Sequence, residues 1–235
     1  VTETADFWDT NLLLGYTVDW DRLGPPVDAY LQARGTQRET VASTRVFEEA
    51  RRVVEKQRRR ARTAADRVFE QFDAGGYDTV DDVKDFVYAT FADDWGKADP
   101  VLDYIDYHDS AFLGLTQTDS TRALQSTYDE IAEDFAEPDD RVQRLRRGQG
   151  ALALERFTGG LDSYRSEYET RYSELDAMLE DTDRDLLLDS HHLLVVTDRS
   201  GVGFVTFDRG DVVDNSETIE ASLDGVSVVD CWQFA

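Results

Sequence analysis

Four acidic residues, Asp9, Glu49, Asp183 and Asp208, stand where short apolar segments end or helical segments begin. Asp9 follows the apolar opening Ala5-Asp6-Phe7-Trp8, and Asp208 follows Gly203-Phe204-Val205-Thr206-Phe207. In a parallel α/β sheet, ligands bind at the carboxyl ends of the strands, so acids far apart in sequence can meet there. Carboxylates brought together repel one another and hold their protons more tightly. A hard divalent cation relieves that cost, and oxygen ligands are what Mg2+ and Mn2+ prefer. Such an ion lowers the pKa of a bound water, which then serves as a nucleophile. Glu49 has Glu48 as a neighbour that could take its place, and Asp183 competes with Asp185 and Asp189.

Positioning these acids requires strands and helices in alternation. The segment ending at Trp8 reads as a buried strand, Thr40-Val41-Ala42 as a second, Gly203–Thr206 as a central one and Val226–Val229 as the last. A first helix is predicted over 20–33, with Pro25-Pro26 near its start, and a long one from a cap at Ser43 or Thr44 to about Phe72. From Val80 to Leu179 the apolar spacing is helical throughout, including a long stripe through Leu154, Phe157, Leu161, Tyr164, Tyr168, Tyr172, Leu175 and Leu179. Leu186–Leu188 with Leu193-Leu194 predict a buried helix, and 211–223 a short one. The pattern is α/β with a mostly parallel sheet, interrupted by a helical excursion. Residues 1–50 and 181–235 are assigned to the α/β domain, and 51–180 to an inserted all-helical subdomain.

The net charge of −25 is built from 34 Asp and 16 Glu against 22 Arg and only 3 Lys. This acid-rich, Lys-poor composition resembles that of proteins from salt-loving archaea. In molar salt the Debye length falls to about 3 Å, which screens self-repulsion, while surface carboxylates keep the chain hydrated. The acidity therefore speaks of the solvent and does not argue against a nucleic-acid partner. A hydrophobic share of 40% is enough for a core, which excludes a disordered chain. Cys231 is alone, so no internal disulfide is possible, and it is read as a small buried residue. No apolar stretch reaches the length of a membrane span or signal peptide, and a soluble, cytoplasmic chain is expected. His108, His191 and His192 have no metal-ligand spacing and are assigned to packing or surface.

The motifs around the acids resemble those of the PIN-domain nucleases. Phe7-Trp8-Asp9-Thr10-Asn11-Leu12-Leu13 looks like the family's opening strand running into Asp-Thr-Asn. Ser43-Thr44-Arg45-Val46-Phe47-Glu48-Glu49 is similar to its Ser-x-x-Val-x-x-Glu element. Asp183 through Ser190 looks like its Asp-x-x-Ile-Leu element with a small residue seven positions on, and Val205-Thr206-Phe207-Asp208 is similar to its Val-Thr-x-Asp. The likeness covers about residues 1–50 and 181–235. It implies a three-layer α/β/α fold and a metal-dependent endoribonuclease, with Asp9, Glu49, Asp183 and Asp208 as catalytic residues and ligands of Mg2+ or Mn2+. Thr10, Asn11, Ser43, Thr206 and Asp189 would support them. Relatives include VapC-type toxins and RNA-processing nucleases, so an antitoxin or other protein partner and a homodimer are further expectations. A structure-specific DNA nuclease is the alternative reading, and a non-enzymatic module binding a protein through the helical insertion is another.

Positive charge is concentrated on the helix after Glu49, in Arg51, Arg52, Arg58, Arg59, Arg60 and Arg62. Two readings stand: a track for the RNA backbone, since the guanidinium grips phosphate and stacks on bases, or a charged helix paired with acidic helices of the insertion.

Overall fold

A computed structural model of the chain describes residues 4–35, 38–95, 98–150, 152–158, 168–176, 178–197 and 199–235. Five strands, β1 (Thr4–Trp8), β2 (Glu39–Ser43), β3 (Leu154–Phe157), β4 (Gly201–Thr206) and β5 (Val226–Asp230), form one sheet in the order β3-β2-β1-β4-β5. Every pairing in it is parallel. Parallel sheets are covered on both faces and their strands read as nearly continuous apolar runs. Accordingly Ala5, Phe7, Trp8, Val202, Phe204 and Val205 are all buried, and Phe7 stacks on Phe204 across β1 and β4 with ring centroids 6.0 Å apart.

Helices cover both faces, giving three α/β/α layers. On one face Trp8 packs edge-on against Tyr16 of α1 (Thr10–Thr17) and Tyr30 of α2 (Gly24–Tyr30). On the other lies the helix Asp181–Val196, whose Leu186, Leu187, Leu188 and Leu193 are buried. Among the described residues the remaining helices are α3 (Thr44–Phe69), α4 (Val80–Trp95), α5 (Asp99–Tyr107), α6 (Asp109–Leu115), α7 (Thr121–Arg146), α8 (Glu169–Asp176) and α10 (Ser216–Ser222), with α9 being Asp181–Val196. No helix among the described residues is long and apolar enough to cross a membrane.

Contacts divide the chain into two compact units, residues 1–17, 23–50 and 141–235, and residues 18–22 and 51–140. The first holds the sheet. The second is helical among its described residues, with Trp20, Tyr104 and Phe135 in mutual ring contact at 4.8 to 5.0 Å.

Three expectations need correction. The helical unit ends at residue 140, not 180, because Leu154–Phe157 is the edge strand β3, paired with β2 from Thr40↔Leu154 to Ser43↔Phe157. A four-residue Leu-Glu-Arg-Phe segment fits helical and extended periods alike, and sheet pairing decides between them. Leu161 and Tyr164 of the predicted stripe lie outside the described residues. The first helix starts at Thr10, directly after Asp9, and a second begins at Gly24 with Pro25 and Pro26 in its first turn, where their missing N–H groups cost nothing. The span 211–223 is a wide turn, Arg209–Val213, followed by α10.

One buried charge belongs to the scaffold. Asp6, in the middle of β1, is fully buried and accepts hydrogen bonds from Tyr30 Oη (2.8 Å), Arg34 Nη2 (3.1 Å) and Arg38 Nη1 (3.1 Å). Its register partner on β4 is Gly203, where a Cβ would lie 2.7 Å from Asp6 Oδ1. Only a residue without a side chain leaves room for that carboxylate.

Candidate metal centre

The strand order fixes where a ligand can enter. The chain steps outward from β1 to β2 and β3, then returns to place β4 on the other side of β1. The carboxyl ends of β1 and β4 therefore flank the point at which the connections reverse, the usual crevice of an open α/β sheet. Asp9 lies one residue beyond β1 and Asp208 two residues beyond β4.

Asp9 is held tightly. Its backbone N–H donates to Val205 O (3.1 Å), extending the β1–β4 pairing by one residue. The residue is 3% exposed. Oδ2 accepts from Thr206 Oγ1 at 2.8 Å and, more weakly, from Asn11 Nδ2 at 3.4 Å, while Oδ1 accepts from the Thr10 N–H at 2.5 Å. The Thr206 hydroxyl in turn accepts from the Asp208 N–H (3.0 Å), so one side chain ties the two acid-bearing ends together. Asp208 Oδ1 accepts from the Asp211 N–H (3.0 Å), which starts the wide turn that follows β4.

Glu49 reaches the same place from α3. Ser43, the last residue of β2, accepts the Val46 N–H at 3.4 Å and so caps the helix. Glu49 then lies in the second turn, and its Oε2 accepts from Thr10 Oγ1 at 2.7 Å. Glu48 is exposed and 3.7 Å from Arg146. The choice between the two adjacent glutamates is thus set by helical phase.

Asp183 completes the group from the first turn of α9. Asp185 Oδ2 is instead 2.8 Å from Arg45 Nη1, and the fully buried Asp189 has Oδ2 3.9 Å from Arg45 Nε. Successive helical residues turn by about 100°, so 185 and 189 share a face that 183 does not. Asp189, expected to support the acids, thereby ties α9 to α3 through Arg45, one turn before Glu49.

The electrostatics follow from this crowding. Burial pushes the Asp183 carboxyl up to about 7, assisted by the charges of Asp9, Asp208, Glu49 and Glu180. Burial likewise pushes Asp9 up to about 6; hydrogen bonds from Thr206 and Thr10 oppose the rise, and Glu49 and Asp208 add to it. Asp183, Asp208 and Asp211 each offer a carboxylate oxygen within 4.8 Å of the others. Asp211 is an addition that sequence reading missed. Its only signal was its place three residues after Asp208, in Asp208-Arg209-Gly210-Asp211, and it depends on the turn folding back.

The basic residues of α3 are largely engaged within the helical unit. Arg51 Nε is 2.6 Å from Asp139, Arg58 and Arg59 are 2.8 Å and 3.4 Å from Glu55, and the Arg62 guanidinium lies 4.6 Å from the centre of the Tyr128 ring. Arg60 is partly buried, which lowers its pKa, and Arg52 is exposed. The histidines take packing roles: His108 lies 2.9 Å from Asp134, and His191 is buried 2.9 Å from the Tyr168 hydroxyl, its pKa lowered to about 4 by burial and by Arg171. Cys231 is buried, its thiol pushed up to about 12 by burial.

In comparisons with known proteins, no family model, curated protein or solved structure matches this chain.

Proposed function

We propose that the chain is a metal-dependent endoribonuclease of the PIN type, working in a salt-rich cytoplasm. The observation that carries this reading is the convergence of Asp9, Glu49, Asp183 and Asp208, from four separate stretches of sequence, at the carboxyl ends of β1 and β4. The Asp-Thr-Asn and Val-Thr-x-Asp likenesses point the same way. Asp9 and Asp208, with Asp183 and Glu49, would hold Mg2+ or Mn2+, and Asp211, whose carboxylate oxygen lies within 4.8 Å of those of Asp183 and Asp208, would join them. When bound, the cation supplies a water of lowered pKa and offsets charge on the phosphodiester oxygens. Thr10, Asn11 and Thr206 keep Glu49 and Asp9 oriented, which is the preorganisation such a centre requires.

A bound RNA, a homodimer and an antitoxin-like or other protein partner belong to the same proposal. With most of the α3 arginines engaged inside the helical unit, the phosphate track on α3 is the weaker part of it. The test is cleavage of labelled single-stranded RNA in molar KCl with Mn2+, with an EDTA control and a flap-DNA arm. Asp208→Asn is expected to abolish metal-dependent cleavage. Unchanged turnover in that variant removes the proposal, and cleavage of flap DNA alone would transfer it to a DNA nuclease.

A further inference from the structure

Beside the acids, at the carboxyl end of the neighbouring strand, lies a feature that the metal chemistry does not use. The chain leaves β5 at Asp230 and makes a short turn, Cys231–Phe234. This turn is anchored on both sides of Trp232. Cys231 is fully buried, and Phe234 packs edge-on against Tyr30 at 5.6 Å. Asp230 Oδ1 accepts the Trp232 N–H at 2.9 Å.

The indole itself is oriented by two further contacts. Its Nε1–H donates to Phe207 O at 3.2 Å, and its ring meets the Phe207 ring edge-on at 5.2 Å. Phe207 is the residue immediately before Asp208, so the indole is hydrogen-bonded to the segment that carries that acid. Arg209, on the other side of Asp208, places both Nε (3.2 Å) and Nη2 (3.0 Å) on Asp230 Oδ2. Its guanidinium carbon lies 6.0 Å from the centre of the Trp232 ring. Arg209 remains 59% exposed and Trp232 is only partly buried. Here a planar cation lies over one face of an aromatic ring, and both groups keep part of their surface exposed.

We propose that Trp232, flanked by Arg209, is a stacking platform for an unpaired base of an RNA strand whose phosphate lies at the carboxylate cluster. This rests on the nuclease reading and deepens it, because it selects single strands over duplexes: a base within a helix has its faces covered. Stacking suits the chemistry of this chain. Net charge of −25 and a cluster of acids repel phosphate, and molar salt removes most of what counterion release could return. The attraction between a base and an aromatic face does not depend on neutralising phosphates and tolerates any sequence.

The experiment measures binding of the whole chain to a short labelled single-stranded RNA, to a hairpin duplex and to single-stranded DNA of the same sequence, in EDTA so that cleavage plays no part. Trp232→Ala is expected to weaken single-strand binding about tenfold, with the same loss at every KCl concentration, and to leave duplex binding unchanged. Equal losses on RNA and DNA support a platform that reads the base face; a loss confined to RNA supports one that also depends on the ribose. Single-strand binding equal to the parent, or parallel losses on single strand and duplex, would overturn the proposal. Should the alanine variant not fold, quenching of tryptophan emission by RNA decides the matter. Trp232→Phe should keep most of the affinity and lose part of the quench, and an unaltered quench would overturn the proposal. The two readings fail separately. Intact cleavage by Asp208→Asn with weakened binding by Trp232→Ala removes the nuclease and keeps the platform; the reverse pair of results removes only the platform.

Discussion

Two buried aspartates stand three residues apart, Asp6 within β1 and Asp9 just past its end, and the fold treats them in opposite ways. Asp6 is surrounded by donors: two guanidinium groups and a phenol converge on it, and Gly203 makes room. Its charge is neutralised inside the protein. Asp9 is nearly as buried, yet its neighbours are Glu49, Asp208 and Asp183, and no ion pair to it exists among the described residues. A charge taken out of water needs a partner. The scaffold supplies one at the middle of the strand and withholds it at the end, where the sheet opens into its crevice. A cation from solution would therefore be drawn most strongly to the end of β1.

The largest effect should come from breaking the completed half of this comparison. Replacing Arg34 and Arg38 together by Ala removes both cationic partners of the buried Asp6, and should cost about 3–5 kcal/mol of stability in denaturant unfolding. A cost below about 1 kcal/mol would mean that water reaches Asp6 and that the two sites do not differ as described.

The open half should respond with the opposite sign. Asp9→Asn removes a desolvated charge and should stabilise the cation-free protein at neutral pH by about 1–3 kcal/mol. The accompanying pH dependence has a definite direction. Asp9 and Asp183 keep their protons in the folded state up to about 6 and about 7, whereas the unfolded chain releases them near 4. Between those limits the native state binds more protons, so stability falls as pH rises from about 4 to about 7 and then levels off. Divalent cation should reverse this, raising the Tm more at pH 8 than at pH 5. A cation-free protein that gains stability through that window would contradict the crowding.

The smallest effect sharpens the geometry. Thr206→Val removes the hydroxyl that joins Asp9 to the Asp208 backbone, and should lower Mn2+ affinity about tenfold to hundredfold, in the manner of outer-sphere partners. Glu48→Gln, one residue from Glu49 but facing solvent, should leave it unaltered.

How much of this was legible in the sequence depended on whether local pattern or tertiary contact made the decision. Asp9 and Asp208 were readable because each ends an apolar run, and a strand's end is where its side chains leave the sheet. Between Glu48 and Glu49, or among Asp183, Asp185 and Asp189, composition could not decide. Helical phase relative to Thr10 and Arg45 did, and that needs the packed structure. Asp211 enters only because the turn after β4 folds back on Asp208. The edge strand β3 escaped detection because four residues carry too little periodicity. The basic run on α3 was visible as charge, but its partners Asp139, Glu55 and Tyr128 were not, since two of the three come from another helix.

If these carboxylates form one site for a divalent cation, the whole chain should take up that cation saturably. The most direct measurement is a calorimetric titration of the whole chain with Mn2+ in molar KCl near pH 7.5, beside Asp208→Asn and Glu48→Gln. Saturable binding to the parent and to Glu48→Gln, lost in Asp208→Asn, is expected. Absence of saturable binding in the parent, or equal binding in all three, would contradict it.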